Sequence, residues 1–228
     1  MSSVKWSPAP TAWSWCKVSA MKRIAVLVSG GGTNLQALID AQHAGEIIGG
    51  EIVAVVSSDP TAYALQRAAN ANIPGYVVSR KDYSSNQAMT VALVEQLKSL
   101  EIDLVVLAGF MTILTKEMVQ AYPNAIINIH PALIPSFCGP GAYGLHVHEQ
   151  ALAYGVKLSG ATVLFVSEEC DGGPIIIQKA VDVLPDDTPE VLQRRIMEQC
   201  EWKIMPQAVS LFCQDKLQVE GRIVRILP

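Results

Sequence analysis

The stretch KRIAVLVSGGGTNLQALIDA, residues 22–41, contains an apolar run, a glycine turn and the start of an amphipathic segment. The apolar run, residues 23–28, is too continuous for a strand with one face in water, so it predicts a strand buried on both faces. The turn SGGGTN, residues 29–34, leads into a helix predicted over residues 34–44. A buried strand followed by a helix is the repeating unit of a parallel sheet, and it points to an α/β fold.

The same alternation of strand and helix continues along most of the chain. It predicts a doubly wound, mostly parallel, Rossmann-like α/β sheet with helices on both faces. From Gly160 the pattern changes to two strands joined by a turn, which predicts an antiparallel C-terminal extension. A long closing helix follows, with Thr188 as its N-cap and Pro189 at its first position. The predicted strands are residues 23–28, 51–57, 75–79, 103–108, 125–129, 161–166 and 175–183. The predicted helices are residues 34–44, 61–72, 84–99, 116–121 and 187–212.

The glycine turn is a candidate phosphate site. Glycines allow close approach of the backbone, and the N–H groups at the start of a helix face an anion. A dinucleotide fingerprint would need a sixth-position glycine where Leu35 stands, and a P-loop would need a lysine that is absent from the turn. The turn therefore predicts a single phosphate monoester held by Gly32, Thr33 and Asn34, with a purely structural tight turn as the alternative.

A second motif, INIHPALIPSF at residues 127–137, places an amide and an imidazole two residues apart at the end of a predicted strand. Residues two apart share a face of a strand, so Asn128 and His130 are predicted to emerge side by side. Asp171, in the later turn EECDGGP, would stabilise the protonated form of the His130 ring. Such a ring can stabilise an oxyanion and donate a proton, while Asn128 donates to the same oxygen. The combination suggests acyl or formyl transfer by direct attack of a substrate amine, because no nucleophilic side chain stands in these motifs.

Composition bounds the function further. A chain of 228 residues is long enough for one sizeable domain, and half of its residues are hydrophobic. The formal charge of −4 gives no electrostatic case for nucleic acid. No apolar run approaches the roughly 18 residues of a membrane helix. The expected protein is a cytoplasmic enzyme, monomeric or homodimeric, whose partners are small molecules and not nucleic acid or membrane.

The cysteines and histidines do not suggest a metal. The five cysteines show no CxxC spacing and are expected to be reduced thiols. His146 and His148, in GLHVHEQ, have no clear third ligand, so a role at a helix start or in loop packing is the better interpretation.

The N-terminal residues 1–21 differ in composition from the rest of the chain. They contain several tryptophans, serines and prolines but no continuous apolar core. They are predicted to be a disordered leader, or to come from an upstream start codon that the cell does not use, and residues 22–228 are predicted to form a single domain.

Five segments in order, VLVSGGGTNLQALID, DLVVLAGFMTIL, INIHPALIPSF, HEQAL and DGGPIIIQ, resemble the phosphoribosylglycinamide formyltransferases. The resemblance runs from about Lys22 to about Phe212 and implies a single formyltransferase domain of doubly wound fold. It implies transfer of the formyl group of 10-formyltetrahydrofolate, as co-substrate and without metal, to the amine of glycinamide ribonucleotide in purine biosynthesis.

The resemblance also assigns residues. Asn128, His130 and Asp171 match the family's catalytic set. Gly32, Thr33 and Asn34 match its phosphate-binding turn, and Glu201, in CEWKIMP, matches the acid that holds the ribonucleotide. The folate-binding residues that it implies are Met111, Thr112, Ile113, Leu114, Asn128, Cys170 and Asn86.

The sequence departs from the family pattern in three places. Thr112 and Asn86 stand where members of the family carry arginines, which affects the expected contacts to the tail of the folate. The loop SFCGPGAYGLHVHEQ is also longer than the compact form, and its glycines and proline predict a mobile surface loop beside the site.

Three other functions share part of this pattern. Formyltetrahydrofolate deformylase resembles the same catalytic set but uses water, and normally has a preceding regulatory domain for which residues 1–21 are too short. Methionyl-tRNA formyltransferase carries a further basic domain, which this acidic sequence does not suggest. A non-catalytic nucleotide-phosphate-binding module would explain the glycine turn, but not Asn128, His130 and Asp171.

Overall fold

The computed structural model of the chain describes residues 21–228. The prediction of a disordered leader therefore lies, apart from Met21, outside the described residues. No helix in this described part is both long enough and apolar enough to cross a bilayer.

Strands and helices alternate as predicted in the first two thirds of the chain. The strands are β1 Lys22–Val28, β2 Gly50–Ser57, β3 Gly75–Val77, β4 Leu104–Leu107, β5 Ile126–His130, β6 Leu158–Phe165, β7 Ile175–Asp182, β8 Leu217–Glu220 and β9 Ile223–Ile226. The helices are α1 Thr33–His43, α2 Tyr63–Asn70, α3 Asn86–Ser99, α4 Lys116–Ala121, α5 Leu145–Tyr154, α6 Pro189–Ile196 and α7 Trp202–Cys213. Two local caps explain where helices begin: Ser85 accepts the N–H of Ala88 before α3, and Thr188 accepts that of Val191 before α6.

All the described strands form one nine-stranded sheet in the order β3-β2-β1-β4-β5-β6-β7-β9-β8. The strands from β3 to β5 are parallel, whereas β6 pairs antiparallel with both β5 and β7. This confirms the predicted fold class, a mostly parallel α/β sheet with an antiparallel C-terminal extension.

The central strand β1 shows why its sequence is continuously apolar. Ile24, Val26 and Val28 pack in the layer formed with α1, α2 and α7, whereas Ala25 and Leu27 pack in the layer under α3 and α4. All five side chains are fully buried. Burying each large aliphatic side chain contributes about 1.5–3 kcal/mol, so both layers of helices stabilise this strand.

Three elements differ from the sequence-based prediction. The loop after Phe137 is shorter than predicted, because α5 begins at Leu145 within it. The closing helix is interrupted by a π-helical turn, Met197–Glu201, between α6 and α7. The hairpin of β8 and β9 was not predicted, since each strand has only four residues and none of them is fully buried.

We expect the layer under α3 to be sensitive to cavities. Leu93→Ala should lower the free energy of unfolding by about 2–5 kcal/mol, because Leu93 is 0% exposed and its removal leaves a cavity. Val91→Ala, on the same helix at 40% exposure, is the matched control and should change stability by less than about 0.5 kcal/mol. Urea unfolding measures both values, and equal losses in the two variants would contradict this packing.

Candidate active site

The candidate site lies where the parallel strands end. Carboxyl ends of β1, β4 and β5 meet at one edge of the sheet, the usual ligand side of an open α/β fold. Ser29 connects two loops at this edge: its Oγ lies 2.6 Å from that of Ser58 and accepts the N–H of Met111 at 2.8 Å. The turn after β1 is thereby tied to the segment after β4, a contact that sequence patterns did not predict.

Asn128 and His130 lie on the same face of β5, as the alternation predicted. Ile126, two residues earlier, packs in the layer under α3 and α4. The Asn128 amide and the His130 imidazole therefore lie on the same face of the sheet as that layer. Asp171 lies on the turn between β6 and β7, which folds back across both side chains. Its Oδ2 is 3.6 Å from His130 Nδ1, and its Oδ1 is 3.5 Å from Asn128 Nδ2, the outer limit of a hydrogen bond.

Both ring nitrogens of His130 face acceptors. Nε2 donates to the carbonyl oxygen of Phe137 at 2.8 Å, and a carbonyl can only accept, so this nitrogen carries a hydrogen. Nδ1 faces the Asp171 carboxylate at 3.6 Å, so Asp171 and Phe137 lie on opposite sides of the ring. Phe137 was not predicted as a site residue, since a backbone carbonyl leaves no signal in the sequence.

The backbone around Asp171 explains the sequence DGGP. Asp171 itself has a φ of 53°, in the left-handed region that aspartate tolerates better than bulkier residues. A Cβ on Gly173 would lie 1.8 Å from the carbonyl oxygen of Phe165, so only glycine fits there. The N–H of Gly139, from the loop after β5, donates to Asp171 Oδ2 at 2.9 Å. The carboxylate is thus held by the turn and by the loop together.

The glycine turn has the geometry of an anion site. Gly32 has a φ of 70°, and a Cβ there would lie 2.7 Å from that of Ala64. Helix α1 begins at Thr33 without a side-chain cap or an acidic residue in its first turn. Among residues 21–228, the N–H groups of Gly31, Gly32 and Thr33 have no acceptor. Free N–H groups at a helix start attract negative charge.

Glu201 joins this turn from the far end of the chain. It ends the π-helical turn, is 6% exposed, and accepts a hydrogen bond of 2.7 Å from Asn34 Nδ2. Burial raises the pKa of its carboxyl group, and the Asn34 amide opposes that shift. The Oδ1 of Asn34 is buried without a partner among the described residues, so the pair presents an unused acceptor.

The segment implied to bind folate is an exposed apolar wall. Met111 is 55% exposed and Ile113 is 75% exposed, with Thr112 and Leu114 half-buried between and beside them. Exposed apolar side chains of this size suit a flat organic ligand.

Two further residues implied to bind folate lie on other elements. Cys170 is exposed, and its thiol lies 3.8 Å from Asp171 Oδ2. Asn86 begins α3, and its Oδ1 accepts from Arg80 Nε at 2.5 Å. Members of the family carry an arginine where Asn86 stands. Here Arg80 places a positive charge next to Asn86.

His146 and His148 lie in the first turn of α5, which corresponds to the helix start, one of the two roles expected for them. His146 faces Glu149 at 2.9 Å on the surface. His148 is fully buried, and burial, followed by the charge of His130, lowers the pKa of His148 to about 4. Within residues 21–228, no group of three His, Cys, Asp or Glu side chains is arranged to hold a metal ion.

The chain is similar to known proteins over most of its length. Residues 22–209 match the formyl transferase family. The chain is 42% identical over 203 residues to a phosphoribosylglycinamide formyltransferase of Haemophilus influenzae, covering 89% of this chain and 92% of that protein. The crystal structure of glycinamide ribonucleotide transformylase 1 from Symbiobacterium toebii is 46% identical, with a TM-score of 0.86, and the alignment covers 91% of this chain and 95% of that one.

A formyltetrahydrofolate deformylase structure from Pseudomonas syringae shares the fold at 27% identity. Its TM-score is 0.82, with 92% of this chain and 67% of that chain covered. The family match spans most of the chain, and the Haemophilus relative is matched over nearly its whole length. The chain is therefore an enzyme of the formyl transferase family, and it resembles the phosphoribosylglycinamide formyltransferases of that family over most of its length.

Proposed function

We propose that this enzyme transfers the formyl group of 10-formyltetrahydrofolate to the amine of glycinamide ribonucleotide. The observation that carries the proposal is the convergence of Asn128, His130 and Asp171 at the end of β5, on the sheet edge that also bears the glycine turn. Relatives matched over most of their length carry the corresponding name. The single sheet running from β3 to β8 supports one formyltransferase domain over residues 22–228.

The two halves of the site have separate tasks in this proposal. Gly32, Thr33 and Asn34 hold the phosphate of the ribonucleotide through the start of α1, and Glu201, bonded to Asn34, binds the same ribonucleotide. The Met111–Leu114 wall, with Cys170 and Asn86 as further candidates, holds the folate. Ser29 connects both halves through its contact with Met111, so the turn and the wall keep a fixed separation.

The reaction joins the substrate amine to the formyl carbon and breaks the bond from that carbon to N10 of the folate. In the tetrahedral intermediate the carbonyl oxygen is an oxyanion, and it becomes a carbonyl again when the bond to N10 breaks. N10 takes a proton from His130, and the proton that the amine loses returns to His130 through water, so protons and charge balance. Asn128 and His130 donate hydrogen bonds to the oxyanion, and His130 is the general acid for N10. Asp171 orients the ring of His130 and stabilises its charged form.

This mechanism requires one exchange of hydrogen bonds. In the structure His130 Nε2 donates to Phe137, so that hydrogen must pass from the carbonyl to the substrate. An oxyanion is a stronger acceptor than a neutral carbonyl, and it would therefore compete successfully for the ring. Glycines 139, 141 and 144, all at positive φ, lie in the loop that would have to shift.

A second candidate is hydrolysis of the formyl-folate by water. The deformylase structure that shares the fold is the observation behind it. The two functions differ only in the acceptor of the formyl group, so one assay separates them.

We expect purified enzyme to consume 10-formyltetrahydrofolate only when glycinamide ribonucleotide is present, because the amine is the acceptor. Tetrahydrofolate release, followed by absorbance with and without the ribonucleotide, measures this dependence. Mass spectrometry of the formylated ribonucleotide checks the product. Formate release at the same rate without ribonucleotide would contradict the proposal and support the hydrolase.

His130→Ala should lower kcat by about 10²–10⁴-fold, since it removes the proposed acid and an oxyanion donor. Ribonucleotide affinity should persist, because the glycine turn is unchanged. Steady-state kinetics and calorimetric titration measure the two quantities. His146→Ala, on the exposed side of α5, is the matched histidine control and should retain activity. Loss of ribonucleotide binding with kcat intact would contradict the role assigned to His130.

Glu201→Gln should stabilise the fold increasingly as pH rises above about 4.5, the ordinary pKa of a glutamate. Below that pH, Glu201 is neutral in both folded and unfolded chains. Above it, the unfolded chain releases the proton while the buried group holds it, so wild-type protein loses stability until the raised folded pKa is passed. Glutamine has no such loss.

Urea unfolding of both proteins between pH 4 and pH 8 tests this expectation. Glu198→Gln, at an exposed position of the same π-helical turn, controls for removal of one acidic residue. The Glu201→Gln variant should also bind ribonucleotide more weakly. A stability difference that is constant across the pH range would contradict the buried, proton-holding state of Glu201.

A further inference from the structure

Helix α2 holds the glycine turn through two carbonyl groups. The N–H of Ala64 donates to the Gly30 oxygen at 3.1 Å, and Arg67 Nε donates to the Gly31 oxygen at 2.8 Å. The next carbonyl, that of Gly32, accepts the N–H of Gln36 within α1 at 2.9 Å. Three successive carbonyl groups of the turn therefore accept hydrogen bonds from helices α1 and α2.

This arrangement determines where the N–H groups point. In a trans peptide the C=O and the following N–H point in opposite directions. Pinning the Gly30 and Gly31 carbonyls toward α2 therefore turns the N–H groups of Gly31 and Gly32 away from it. Those groups, with that of Thr33, lack an acceptor among residues 21–228. The free donors of the phosphate turn are thus a consequence of contacts on its opposite side.

Arg67 is itself held in place. Its Nη1 donates to Gln36 Oε1 at 2.9 Å, and its guanidinium carbon lies 5.0 Å from the ring centroid of Tyr63. A Cβ on Gly32 would lie 3.5 Å from Arg67 Cδ, so the side chain also packs under the turn. One guanidinium therefore links the turn, the first helix and the second helix.

We infer that Arg67 is a positioning residue that makes the enzyme specific for a phosphorylated substrate, by orienting the Gly31–Gly32 peptide toward a phosphate monoester. The inference rests on the proposed function, because the turn is taken as the phosphate site of the ribonucleotide. A lysine would keep the positive charge, but it lacks the planar fork that reaches Gly31 and Gln36 together.

The test compares phosphorylated and unphosphorylated substrates in the variants Arg67→Lys and Arg67→Gln. For glycinamide ribonucleotide, both variants should lose about tenfold to a hundredfold in kcat/KM, chiefly through KM. For the corresponding riboside, which lacks the phosphate, kcat/KM should be unchanged from wild type. The KM for 10-formyltetrahydrofolate should also stay constant. Gln66→Ala, an exposed position of the same helix, is the matched control.

Each alternative outcome is informative. An equal loss on ribonucleotide and riboside would overturn the inference and assign Arg67 a general structural role. Retention of activity in Arg67→Lys with loss in Arg67→Gln would also overturn it, because charge alone would then suffice. No loss in either variant would do the same.

A binding measurement separates this inference from the proposed function. Calorimetric titration with ribose 5-phosphate needs no turnover, and wild type should bind it at least tenfold more tightly than Arg67→Lys does. If wild type binds ribose 5-phosphate but does not formylate the ribonucleotide, the proposed function fails while the role of Arg67 stands. If wild type does not bind it, or both proteins bind it equally, the inference about Arg67 is wrong.

Discussion

The pairing of β5 with neighbours on both edges is the constraint on which the site depends. On one side β5 is parallel to β4, so its carboxyl end joins the ligand edge of the sheet. On the other side β6 is antiparallel, with Phe165 opposite Ile127, so the turn after β6 starts near the amino end of β5. That turn reaches Asn128 and His130 only by folding back over the sheet face. Its length and its glycines are therefore requirements of the site.

Electrostatics impose a second constraint on the same region. Asp171 and His130 are nearly buried, and a buried charge without partners costs several kcal/mol. The Gly139 N–H, the Asn128 amide and the imidazole surround the carboxylate and offset that cost. Glu201 is treated differently, since one amide faces it and burial raises its pKa. The charge of the Asp171 carboxylate is therefore compensated within the protein, whereas the charge state of Glu201 depends on what binds beside it.

Much of this organisation could be predicted from the sequence, because the pattern of apolar residues in a strand shows which of its faces are buried. The continuous run in β1 required burial on both faces, and the alternation in β5 placed Asn128 and His130 on one face. The contacts from backbone groups could not be predicted in that way. The Phe137 carbonyl that accepts from His130 and the N–H of Gly139 depend on the path of a loop.

The π-helical turn escaped prediction for a related reason. The periodicity of residues 187–212 is helical on both sides of Met197–Glu201, and a single wide turn alters the phase without changing composition. The helix α5 was concealed by the glycines before it, which suggested a longer loop. In both cases tertiary contacts decide the local backbone, and the residue types alone permit more than one path.

The proposed function places two anions in the site, and the structure is prepared for them in different ways. The phosphate of the substrate is negatively charged throughout the reaction. Its donors are backbone N–H groups whose direction is set by Ala64 and Arg67 behind the turn. Such donors need no rearrangement when the substrate arrives. The oxyanion is transient, and its proposed donor, His130, is occupied by a neutral carbonyl before reaction. The His130 N–H leaves the Phe137 carbonyl only when a stronger acceptor, the oxyanion, forms. The difference in acceptor strength between the two oxygens therefore stabilises the transition state and does not strengthen binding of the substrate. Fixed donors therefore suit recognition, and exchangeable donors suit the chemical step.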